Sequence, residues 1–99
     1  MTTVNSDSKL GFKIALVQML VAGGAKQENL RRAELAIAAA VGQGAQIVLL
    51  PETLDLGWTH PSAKEQAEAI PGGEPYERLS AAAKEHGVFL CAGLTERDR

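Results

Sequence analysis

The stretch IVLLPETLDLGW, Ile47 to Trp58, ends an apolar run in a proline and a carboxylate, Pro51 and Glu52. An acid directly after a strand-like run caps a neighbouring helix, binds a ligand or moves a proton. Pro51 restricts the backbone ahead of it and so narrows the orientations its carboxylate can take. Spacing alone leaves a solvated loop acid and a functional one equally open. Other side chains with chemical potential are few. Cys91 is the only cysteine and stands mid-run in VFLCAGL, where a thiol is expected as a small core residue rather than an activated nucleophile. Lys26, Lys64 and Lys84 fall on polar faces or near helix ends and are expected to be solvated. His60 and His86 lack a third ligand at metal-like spacing, so no metal is expected. His86 complements the negative end of a helix, while His60, beside Pro61, is expected as a surface loop histidine that could border a pocket. Trp58 could wall a substrate pocket or pack its loop onto the fold, packing being the safer expectation. The glycines of VAGGA match no phosphate-loop spacing and are expected to serve a turn.

The elements that must position these residues follow from periodicity. Phe12 to Leu20 is rich in β-formers and apolar on both alternating faces, the pattern of a strand in a parallel sheet. From Lys26 to Val41, Leu30, Ala33, Ile37, Ala40 and Val41 recur at helical spacing, and GQGA ends the helix with Gly42 or Gly44 available for a left-handed turn. Gln46 to Leu50 is a second buried strand. Ser62 and Glu65 have the spacing of a capping box, predicting a short helix to about Ala69. Pro75 suits the first turn of a further helix that ends at Gly87, and Val88 to Leu94 is the third strand. This β-α-β-α-β order predicts strands pairing in parallel. If the chain crosses the sheet in one direction, its helices cover one face and leave the other bare. Parallel sheets place sites outside the carboxyl ends of their strands, where Glu52, VAGGA and TERDR converge.

At 99 residues the chain is the size of one domain, with residues 1–10 expected as a flexible lead-in and residues 11–99 as the folded part. Hydrophobic residues at 45% and charged residues at 22% separate it from disordered chains. A net charge of -2 without a basic block, and aromatic residues at only 4%, argue against nucleic-acid binding. No apolar run reaches membrane-spanning length and the opening lacks signal-peptide order, so no membrane partner is expected. With a single cysteine, a reducing, cytoplasmic setting fits best.

The succession KIALVQM, ENLRRAELAIAAAVGQGA, QIVLLPETLDLGW and IPGGEPYERLSAAAKEHGVFLCAGLTER resembles the amino-terminal part of the nitrilase, or carbon–nitrogen hydrolase, superfamily, LLPE followed by Gly57-Trp58 being the most specific part. The resemblance implies the beginning of a four-layer α-β-β-α sandwich, in which two sheets stack face to face. It also implies hydrolysis of non-peptide carbon–nitrogen bonds, amides ahead of nitriles, by a cofactor-free Glu-Lys-Cys set in protomers that pair as homo-oligomers. Glu52 matches the family glutamate, the general base. The family lysine and cysteine lie further along than Arg99, so the 99-residue chain alone is expected to be inactive. A non-catalytic α/β module that binds a partner chain or a small ligand is the alternative.

Overall fold

In the computed structural model, which describes residues 2–7 and 11–98, the apolar runs become strands and the periodic segments become helices. The order is β1 (Thr2–Asp7), β2 (Phe12–Val17), α1 (Lys26–Gly42), β3 (Ile47–Leu49), α2 (Ala63–Gln66), α3 (Glu74–His86) and β4 (Phe89–Cys91). The strands form one sheet in the order β1-β2-β3-β4, and β2, β3 and β4 pair in parallel as expected. Each strand is shorter than its apolar run, because the flanking residues belong to the turns that leave the sheet.

Residues 2–7 correct the flexible lead-in expected of residues 1–10. Their backbone forms β1 and pairs antiparallel with β2, from Thr2↔Val17 to Asp7↔Phe12. An edge strand needs only backbone bonds to one neighbour, so it can form from a polar segment without an apolar signature.

Side-chain alternation divides the sheet. Ala15, Val48 and Leu90 share one row across β2, β3 and β4; Ala15 and Val48 are fully buried, and Leu90 packs against their cluster. Leu30, Ala33, Ile37 and Ala40 of α1 and Leu79 and Ala82 of α3 complete this core. Each large apolar side chain buried here contributes about 1.5–3 kcal/mol, which makes this layer the main source of stability. The rows on the other face, Ile14–Ile47–Phe89 and Leu16–Leu49–Cys91, are far less covered: Phe89 is 80% exposed, Leu16, Leu49 and Cys91 are exposed as well, and Ile14 and Ile47 are only half-buried. The bare face expected from the strand order is therefore present.

Local signals hold at most helix ends. Gly87 takes the left-handed conformation at φ 66 after α3, with its N–H on the Lys84 carbonyl, and Pro75 lies in the first turn. The capping box does not form. Ser62 has helical torsions, and its hydroxyl pairs with His60 Nδ1 at 2.8 Å, so α2 is a single turn that stops at Gln66. Between the helices, Arg78 binds Glu34 and donates to Gln27 Oε1 at 2.8 Å, which sets how α3 lies along α1.

Candidate functional site at the carboxyl edge of the sheet

The chain does not leave the sheet when β3 ends. Leu50 donates to the Cys91 carbonyl at 2.8 Å, Gly93 donates to the Pro51 carbonyl at 3.3 Å and Leu54 donates to the Gly93 carbonyl at 3.0 Å. Glu52 is thereby carried past the end of β3 on a backbone still attached to the extension of β4. Contact there is close enough to require glycine: a Cβ on Gly93 would lie 2.6 Å from the Glu52 Cα. The side chain of Glu52 is exposed and has no hydrogen-bond or ion-pair partner among the described residues. A carboxylate on a fixed backbone, with its oxygens uncommitted, can accept a proton from a group brought to it.

Beyond Glu52 the chain turns tightly. Thr53 adopts φ 46, rare for a residue with a branched side chain, and Gly57 closes the turn by donating to the Thr53 carbonyl at 2.9 Å. Leu54, Asp55 and Leu56 inside this turn are all fully buried. Asp55 Oδ1 accepts the Thr95 N–H at 3.0 Å, and the Asp55 carbonyl accepts from Asn29 Nδ2 at 2.9 Å. Asn29 also pairs with both backbone groups of Ala22, at 2.9 and 2.8 Å. Asn29 and Asp55 are the two buried polar residues of the described core, and both escaped the sequence reading. A signal existed for Asn29, which shares the spacing of Ala33 and Ile37 on the apolar stripe of α1; Asp55 gave none beyond its two leucine neighbours.

The other candidates separate by place. His60 is half-buried, its ring lying over VAGGA, where a Cβ on Gly23 would come within 2.3 Å of the ring. The double glycine thus serves a turn and also makes room for a histidine that joins two loops of the edge. Trp58 is 69% exposed, so the packing expected of it does not occur. Lys26 is not a solvated lysine: its side chain is only 14% exposed, and its ammonium binds Glu68 at 2.6 Å and the Gln66 carbonyl at 2.5 Å. The Lys26 ammonium, and secondarily the Glu74 N–H, hold the Glu68 carboxyl below its ordinary value of 4.5. Cys91 is exposed on the open face instead of lying in the core, because β4 turns Leu90 toward the helices and its neighbours away from them. Its row in the sheet is that of Leu16 and Leu49. No cluster of His, Cys, Asp or Glu suited to a metal ion occurs among the described residues, and none of their helices is long and apolar enough to cross a membrane.

A family profile described as Carbon-nitrogen hydrolase matches residues 13–99. Over 88 residues the chain is 48% identical to the Omega-amidase NIT2 of Xenopus tropicalis, a match covering 88% of this chain and 31% of that protein. It is 39% identical over 88 residues to the Omega-amidase NIT2 of Homo sapiens, with the same coverage of 88% and 31%. A protein named Nitrilase from Pyrococcus abyssi (strain GE5 / Orsay) is 39% identical over 89 residues, or 87% of this chain and 34% of that protein. The chain spans about a third of the length of these relatives.

Proposed function

The chain belongs to the carbon–nitrogen hydrolase family, and from that premise we propose that it supplies the general base, Glu52, of an amidase-type hydrolase of non-peptide carbon–nitrogen bonds. The observation that carries this reading is the uncommitted carboxylate of Glu52 on a backbone held at the carboxyl edge of a parallel sheet. The omega-amidase names of the relatives favour a terminal amide of a small molecule over a nitrile.

In the family's chemistry a cysteine thiolate attacks the amide carbon and a lysine steadies the oxyanion. Glu52 takes the thiol proton, from a group whose unperturbed pKa is about 8.5, and passes it to the departing ammonia or amine. It then takes a proton from the water that attacks the thioester and returns it to the departing thiolate, which restores the thiol and the free carboxylate. The lysine and the nucleophile are assigned to the length of the relatives beyond the matched segment, since neither Lys26, committed to Glu68, nor Cys91, on the open face, suits those roles. No cofactor takes part. Trp58, exposed beyond the turn, is available as a wall for the substrate.

The open apolar face fits a second sheet stacked upon it, the four-layer α-β-β-α sandwich, and protomers pairing as homo-oligomers belong to the same reading. That face also favours a second reading, a non-catalytic module that uses it to bind a partner chain.

The test is turnover of small terminal amides by the protein at its full natural length, wild type against Glu52→Gln. A fall of about a hundredfold or more with unchanged circular dichroism is expected. Turnover equal to wild type overturns Glu52 as the base, and absence of turnover in both proteins favours the module.

A further inference from the structure

We infer that Asp55, backed by Asn29, is the positioning residue for Glu52, an inference that rests on Glu52 being the base. Among the described residues Glu52 has no side-chain partner, so what these residues fix of its carboxylate they fix through its backbone. That backbone enters a turn whose first residue, Thr53, is held in a sparsely populated conformation, and such a conformation persists only where its surroundings over-determine it. Asp55 lies at the centre of the turn closed by Thr53 and Gly57 and, among the described residues, is the one in it bonded through its side chain to the segment after β4.

The bonds form a continuous line across the carboxyl edge. Ala22, after β2, pairs with Asn29; Asn29 donates to the Asp55 carbonyl, after β3; and Asp55 Oδ1 accepts the Thr95 N–H, after β4. The ends of three parallel strands are thereby tied together through two side chains, and the turn carrying Glu52 is the middle tie. A fully buried carboxylate costs several kcal/mol to desolvate, so Asp55 is a poor choice as a packing residue between Leu54 and Leu56. What it supplies that leucine cannot is an acceptor reaching the Thr95 N–H. Aspartate and asparagine share that reach, while alanine has no acceptor.

The positioning role separates turnover from binding. In the protein at its full natural length, Asp55→Ala is expected to lower kcat about tenfold to a hundredfold with KM within about twofold, because a displacement near 1 Å harms proton transfer more than substrate capture. Asp55→Asn, which keeps the acceptor, is expected to recover most of that loss. Asn29→Ser, which shortens the other tie, is expected to lower kcat in the same sense and serves if Asp55→Ala does not fold. Unchanged kcat per folded molecule in Asp55→Ala or Asn29→Ser, alongside an inactive Glu52→Gln, overturns the positioning role and leaves Glu52 as the base. An active Glu52→Gln overturns the premise itself. Failure of Asp55→Asn to recover turnover also overturns the inference, since the acceptor alone would then not account for Asp55.

Discussion

The two faces of the sheet are made of the same kinds of residue and have opposite fates. On one face Ala15 and Val48 lie under α1 and α3, fully buried; on the other, residues in adjacent register, Leu16, Leu49 and Phe89, face outward. Hydrophobicity therefore reports which residues are fit for burial, whereas topology decides which are buried within this chain. The contrast can be tested by weakening each face separately. Ile37→Ala on the covered side removes a fully buried side chain and is expected to cost about 2–5 kcal/mol in chemical denaturation of the 99-residue chain. A loss under about 1 kcal/mol there would mean that the covered face is not the core.

A smaller effect is expected at the tie that joins the start of α1 to the segment after α2. Glu68 titrates below its ordinary value in the folded chain, so its contribution is fully present above the unfolded pKa and is lost as pH falls through the folded one. Glu68→Gln should be less stable than wild type by about 1 kcal/mol at pH 7, and the gap should close in urea titrations repeated at pH values stepping down below 4.5. A gap that widens in acid would reverse the sign of this interaction. The smallest change in folding is expected from Phe89→Ser on the open face, within about 0.5 kcal/mol, because the side chain is already solvated. Its effect should appear instead in sedimentation or light scattering, as reduced self-association of the 99-residue chain. A large loss of stability would show that the open face is part of the core.

Elements governed by neighbours along the chain were legible in the sequence. The stripe of α1, the end of α3 at Gly87, the parallel order of β2, β3 and β4, and the place of Glu52 all follow from short-range patterns and the geometry of crossovers. Features governed by contacts distant in sequence were not. Lys26 becomes half-buried and paired because Glu68 arrives from a later segment. Cys91 is a core residue in composition and an exposed one in fact, since alternation assigns sides but cannot say which side the helices take. β1 escaped because its polar sequence carries no alternation to detect, and Asp55 because a buried carboxylate is indistinguishable in sequence from a solvated one.

Two glycines that look alike in the sequence differ in what they tolerate. Gly87 is held by its torsion and has open space around it, so asparagine, which enters the left-handed region most readily, is the natural replacement. Gly93 does not carry a positive φ and is held by proximity alone, with the backbone of Glu52 and Thr53 filling the volume of its missing methyl group. Position 93 is therefore a spacer: one added carbon would lie 2.6 Å from the Glu52 Cα, so the backbone that carries the candidate base and the extension of β4 could no longer lie this close together.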